Sequence, residues 1–318
     1  MDLISHGLLG LVFGRGFNLS KPYRIMLIIS CVIPDIDSIS ILAGFEEFFQ
    51  YHRGPTHSFV GMLLIPLAIS VVYAGYKRLP AQKFLLILSI CLCGTFSHIF
   101  LDLITPWSTA FLWPFSDEGI SFDITSIFDP IFFATLFLAF LFMKYKNVKK
   151  HIIMVFVIIL ISTNFGVRYY EKGAAIDTVK EVNDNIVMSM PTVRPDRWQV
   201  AVKVVGENGF TYKIYNVDSV HNKILSTTTV ESFFTDYNLV EPPIDSPEKA
   251  VAYSQRDDKV KAFIEKAHLP AVTVTVDDGM WHLFWFDAFT SYGGMSSGMN
   301  VTVGIDGTLT MSFSVYEF

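Results

Sequence analysis

Charge is what this chain has little of. Only 17% of its 318 residues are Asp, Glu, Lys or Arg, while 51% are hydrophobic. Water-soluble domains carry about 25% charged residues, so the deficit excludes an ordinary soluble protein for at least part of the chain. The small net charge of −6 excludes the basic footprint of nucleic-acid binding. Cysteine is scarce as well. Cys31, Cys91 and Cys93 all lie in apolar segments, so no disulfide framework is implied. Cys91-Leu92-Cys93 also lacks the spacing of a CxxC redox or zinc motif. The start of the chain lacks a basic region before its first apolar run, which contains His6, so no cleavable signal peptide is expected. There is no internal repeat and no low-complexity stretch.

Long apolar runs are present, nearly all before residue 170. His57–Tyr76, Phe84–Ile104, Ile124–Met143 and Ile152–Tyr169 each approach the ~20 residues needed to cross a bilayer. Leu3–Phe17 is shorter and Gly-rich, and reads as re-entrant or partly inserted. Tyr23–Leu42 is interrupted by Pro34-Asp35-Ile36-Asp37. Lys and Arg cluster in three connections: Arg15, Lys21 and Arg24; Lys77, Arg78 and Lys83; Lys144, Lys146, Lys149 and Lys150. The positive-inside rule makes these connections cytoplasmic. The expected fold is an α-helical polytopic membrane domain of five to six helices over residues 1–170. A soluble α+β extracytoplasmic domain follows over 171–318.

Polar ionisable groups near a bilayer are expensive and point to function. Here they share a side. With that topology His6, Asp35, Asp37, His52, His57, His98 and Asp102 all fall toward the outer face. His98 and Asp102 stand at i,i+4, on one helix face, and can reach one ion. Asp35 and Asp37 repel each other unless a cation or proton intervenes; spacing does not rank them, and Asp35 is taken as the ligand. His52-Arg53-Gly54-Pro55-Thr56-His57-Ser58 packs several polar groups into one turn, with Thr56 able to cap the next helix. The expected metal ligands are His6, Asp35, His57, His98 and Asp102. The unligated carboxylate, Asp37, is expected to orient or deprotonate the water and Arg53 to neutralise a substrate phosphate, with His52 counted beside them as a catalytic candidate. The bland readings are a packed core histidine for His6, a loop residue for His52, a headgroup-facing side chain for Arg53 and a helix cap for Asp129.

The later half alternates in strand fashion. Strands are expected at Trp198–Val205, Phe210–Val217, Ile224–Val230, Ala271–Val276, Trp281–Phe286, Asn300–Ile305 and Thr308–Val315. Asn208-Gly209, Asp278-Gly279 and Asp306-Gly307 read as hairpin turns. One helical stretch, Pro247–His268, and a connecting helix or linker, Gly173–Val187, complete the expectation. His151, His221, His268 and His282 are given no role.

Several ordered motifs of the first half resemble a known family. They are Met1-Asp2-x-x-x-His6, Pro34-Asp35-x-Asp37, His52-Arg53-Gly54-x-Thr56-His57-Ser58, Ser97-His98-x-x-x-Asp102, Trp113-Pro114-Phe115-Ser116 and Asp129-Pro130. Together they are similar to the LexA-regulated YdjM-type bacterial inner-membrane proteins, described as metal-dependent hydrolases. The resemblance implies an inner-membrane enzyme with phospholipase-like chemistry. A more distant similarity is to the zinc-dependent phospholipase C and P1 nuclease group, whose metals are held by dispersed His and Asp. A second His-x-x-x-Glu/Asp helix, which would complete a three-metal set, is missing from this sequence. The expectation is therefore one or two divalent ions, zinc first and manganese second. The substrate would be a lipid or lipid-linked phosphoester, the partners membrane lipids, and no nucleic acid. The competing expectation is a non-enzymatic metal-binding or transport protein.

Overall fold

A computed structural model describes residues 1–145, 149–206, 209–233, 240–290 and 295–317. Lys146 and Asn208 lie outside the described residues. The chain divides into two compact units. One holds residues 1–40, 51–173 and 190–197, the other 41–50, 174–189 and 198–318.

The first unit is helical. Helix α1 (Leu3–Gly16) is capped by the Asp2 side chain, which accepts from the Ser5 amide. Helix α2 (Lys21–Ser30) breaks before Pro34, which has no amide hydrogen and disfavours a helical residue ahead of it. The chain continues as a tight 3-10 segment (Ile33–Leu42), bent by 50° from α2. Runs this long in 3-10 geometry are uncommon and often mark a functional hinge; this one carries Asp35 and Asp37. A short helix α3 (Phe45–Tyr51) and a 3-10 turn (Pro55–His57) lead into α4 (Phe59–Lys77). Helix α5 (Ala81–Leu103) packs on α2 through Gly94, where a Cβ would sit 2.7 Å from that of Ser30. Helix α6 (Pro130–Phe142) and the long α7 (Lys150–Lys180) follow.

The count of spanning helices corrects the sequence expectation. Three helices, α4, α5 and α7, are long and apolar enough to cross a membrane, or four if α2 and its bent 3-10 continuation form one span. Five to six spans are not present among the described residues. Helix α1, at 14 residues, is only ~21 Å long and α6, at 13, ~20 Å, against a hydrocarbon core of about 30 Å. The apolar run at 124–143 misled because hydropathy does not register where a helix starts. Asp129 caps α6, accepting from the Ile131 and Phe132 amides, and residues 124–128 remain outside it.

The second unit is β-rich, with less helix than an α+β reading implies. Strands β1 (Ile186–Pro191), β2 (Arg197–Val205), β3 (Gly209–Asp218) and β4 (Lys223–Phe233) form one sheet in that order. Helices α8 (Pro247–Ser254) and α9 (Asp258–Lys266) divide what the sequence presents as a single helical stretch. Strands β5 (Pro270–Asp277), β6 (Met280–Asp287), β7 (Met295–Gly304) and β8 (Leu309–Glu317) form a second antiparallel sheet in sequential order. The β5–β6 turn is Asp278-Gly279, both at positive φ, as its sequence predicts. Trp285, Val272, Val301, Val260 and Phe263 centre one apolar core, and Trp198, Val200 and Val217 another with Ala175 and Val179 of α7.

Candidate metal centre

Each polar residue of the site has a local reason for its position. His98 and Asp102 stand one turn apart at the end of α5, both fully buried. His57 closes the 3-10 turn before α4. That turn lies against Gly61, where a Cβ would collide with the Pro55 carbonyl. Ser58, rather than Thr56, caps α4, accepting from the Gly61 amide. Thr56 instead donates to Asp37 Oδ2 at 2.7 Å. Arg53 holds a left-handed backbone (φ 58), uncommon for a residue with a side chain. Its amide thereby donates to Asp37 Oδ2 at 3.1 Å.

All eight residues singled out from the sequence join one network. Asp102 Oδ1 meets His6 Nε2 at 3.3 Å, Arg53 Nη2 at 2.9 Å and the Met1 α-amino group. Asp102 Oδ2 lies 3.2 Å from both His57 Nε2 and His98 Nε2. Asp35 Oδ1 lies 3.3 Å and 3.5 Å from the same two nitrogens, which are 3.1 Å apart. The second nitrogen of each histidine is held. His98 Nδ1 donates to the Cys31 carbonyl at 2.8 Å, and His57 Nδ1 faces Asp37 Oδ2 at 3.1 Å and Thr56 Oγ1 at 3.0 Å. Placing the hydrogens on Nδ1 leaves both Nε2 lone pairs aimed at the same place.

That place fits a divalent cation. Donor atoms of Asp35, His57, His98 and Asp102 all lie within 4.8 Å of one another. Tetrahedral ligands at ~2.1 Å from a metal stand about 3.4 Å apart; the histidine nitrogens stand 3.1 Å from each other and 3.2 to 3.5 Å from the two carboxylates, and the carboxylates lie within 4.8 Å of one another. Asp102 Oδ2 is buried and satisfies no hydrogen bond despite two nitrogens nearby, as expected of lone pairs directed between the rings. Asp35, Asp37 and His52 form a second group of donor atoms within the same limit, sharing Asp35 with the first.

The remaining residues differ in placement. His6 stacks on the His98 ring at 3.9 Å and reaches the centre through Asp102. His52 is only 11% exposed, with Nδ1 2.8 Å from Asp37 Oδ1, and meets Trp107 edge-on. Arg53 is buried. Its guanidinium donates to Asp102, to Thr105 Oγ1 at 3.0 Å and to the Trp107 carbonyl. Sequence reasoning missed the roles of Cys31, whose backbone carbonyl leaves no residue-type signal, and of Trp107, whose carbonyl holds Arg53 while its ring packs on His52. It also missed the buried pair at the start of α6, where Asp129 Oδ2 takes Arg168 Nε at 2.9 Å, Asn164 Nδ2 at 2.9 Å and Thr125 Oγ1 at 2.6 Å.

Two curated proteins and one family model are similar to this chain. The uncharacterized protein YfhP of Bacillus subtilis (strain 168) is 24% identical over 217 residues, 64% of this chain and 65% of its own length. The chain thus spans slightly less than two thirds of that relative. The inner membrane protein YbcI of Escherichia coli (strain K12) is 33% identical over 124 residues, 36% of this chain and 69% of its own length. No solved structure matches. The family model described as YdjM inner membrane protein matches residues 1–175, more than half the chain and the whole of the His/Asp network. The chain therefore belongs to the YdjM family of inner membrane proteins.

Proposed function

We propose that this multi-pass inner-membrane protein is a metal-dependent hydrolase acting on a lipid or lipid-linked phosphoester at the membrane–water interface. The observation that carries the reading is the convergence of two histidine Nε2 atoms and two carboxylates, with both Nδ1 atoms tied back. A bound divalent ion supplies Lewis acidity toward a phosphoryl oxygen and a water acidic enough to attack near neutral pH. Zinc suits the His/Asp donor set, and manganese is the alternative.

The protein's groups divide the remaining work. Asp35, His57, His98 and Asp102 are the ligands. His6 buttresses His98 and Asp102. Asp37 holds His57 through Oδ2 and His52 through Oδ1, and as the carboxylate outside the ligand set it orients the water. Arg53 holds Asp102 in place and balances its charge, a positioning role in place of the phosphate contact expected from sequence. Arg15, Lys21, Arg24, Lys77, Arg78 and Lys83 lie at the opposite helix ends from the cluster. The positive-inside rule then puts the site, and the domain after α7, on the extracytoplasmic side.

Metal analysis of the purified full chain tests the centre. The parent protein should hold stoichiometric zinc or manganese, and His98→Ala and Asp102→Ala should each lose it. Metal retained in both variants would overturn the ligand set. A headgroup-release assay on phospholipid vesicles tests the reaction, which should stop on chelation and return with metal; release indifferent to chelation removes the metal dependence, and no release from any phospholipid removes the hydrolase reading.

A further inference from the structure

Beside the centre lies an apolar cavity of about 980 Å³, walled by α1, α2, α5, α6 and α7. That volume is at the upper end for small-molecule sites. Phe13, Leu27, Ile90, Phe132, Ile161 and Phe165 supply much of its wall. The room exists because α5 turns small side chains toward it at four-residue steps, Ser89, Cys93 and Ser97. Both serine hydroxyls are engaged by their own helix. Ser89 Oγ donates to the Leu85 carbonyl at 2.9 Å and Ser97 Oγ to that of Gly94 at 2.8 Å. They add little polarity to a wall that is almost entirely apolar.

The position of the cavity identifies its occupant. One end reaches Cys31, Ser97 and Leu101. Cys31 is the residue whose carbonyl holds His98, and Ser97 and Leu101 directly precede His98 and Asp102. The other end reaches Phe17, Leu19 and Ser89. From Ser89 to Leu101 the α5 axis rises ~18 Å, close to the ~15 Å of one leaflet's hydrocarbon. Ser89, Cys93, Phe100 and Ser162 are exposed along its side, so a chain can enter laterally from the bilayer.

We propose that this cavity seats one acyl chain of a bilayer glycerophospholipid whose head group meets the His/Asp cluster. The one-leaflet length selects a straight acyl chain over a polyisoprenoid, which is several times longer. The head-group end rests on the hydrolase reading above; the chain-binding end rests on the cavity alone.

The test uses the full chain in phospholipid nanodiscs doped with a phosphatidylcholine carrying a diazirine at the end of one palmitoyl chain. Photolysis should place adducts on Phe13, Leu19 and Ile90 at several-fold higher yield than on the outward residues Leu64, Val71 and Val72 of α4. Ser89→Trp and Ser162→Trp, which fill the cavity away from the cluster, should abolish that preference and leave metal content unchanged. In the headgroup-release assay they should raise KM for dipalmitoyl lipid about tenfold and leave dihexanoyl lipid unaffected. Equal labelling of the cavity and α4 means only lipid surrounding the protein and overturns the proposal, as does an equal penalty at both chain lengths. Selective labelling with no headgroup released from any lipid would leave the cavity assignment standing and remove the hydrolase reading.

Discussion

Asp102 is the residue on which the centre turns. Its Oδ2 faces two imidazole nitrogens, and its Oδ1 is held by Arg53, His6 and the Met1 amino group. A planar, forked guanidinium can hold Asp102 and at the same time reach Thr105 and the Trp107 carbonyl. A lysine has one compact ammonium and cannot span all three. Arg53→Lys should therefore weaken metal binding about 10- to 100-fold, the usual effect of removing a ligand's hydrogen-bond partner. Chelator competition on the purified protein measures it, and an unchanged affinity would show that Arg53 has no part in orienting Asp102. The same reasoning separates His57 from His52. Asp37 touches both, but only His57 directs a nitrogen at Asp35, His98 and Asp102 together.

Elements bring these residues together, and they show what was legible in the sequence. The i,i+4 spacing of His98 and Asp102 and the Pro34 break before Asp35 and Asp37 are local features, and both could be read directly. The start of α6 was half legible: Asp129 before Pro130 reads as a helix cap, and it is one, yet the apolar run at 124–143 continues through it and reads as a single span. Arg168 was unreadable as a partner for Asp129, since 39 positions separate them and only the fold makes them adjacent. That pair fastens the start of α6 to α7, and Arg168 also donates to the Thr192 and Val193 carbonyls. Removing one member of a buried ion pair costs about 3–5 kcal/mol, whereas replacing both costs far less. Arg168→Met should destabilise the protein by about that amount in detergent-solubilised unfolding. Adding Asp129→Asn, which keeps a capping oxygen, should recover much of the loss. A single-variant cost within ordinary surface-substitution range would show that the pair is not what joins the two helices.

Across the whole molecule the chemistry is concentrated in the first unit, yet the second carries its own buried charge. Asp287, at the end of β6, accepts from His268 Nδ1 at 2.7 Å and from the amides of His268, Leu269 and Phe289 at 2.9 to 3.1 Å. Burial alone would raise its pKa. The hydrogen bond and charge of His268, with the amides of His268 and Phe289, outweigh that and hold the carboxyl below its usual range. Burial and the Asp287 charge in turn push the Tyr212 hydroxyl up to about 12. A carboxyl depressed in the folded state binds its proton more readily when unfolded, with a reference pKa of about 3.9. Its stabilisation is therefore complete above that value and is lost as pH falls through the folded pKa. Asp287→Asn should cost about 2 kcal/mol at neutral pH, roughly a 30-fold loss of amide protection. Hydrogen exchange on the intact chain, followed in peptides covering residues 268–290 and compared with the parent at each pH, reads this locally. The gap between the two proteins should be constant above about pH 5 and narrow below about pH 4. A gap that is the same at pH 3 and pH 7 would mean that the Asp287 carboxylate does not stabilise the β-rich domain through its charge.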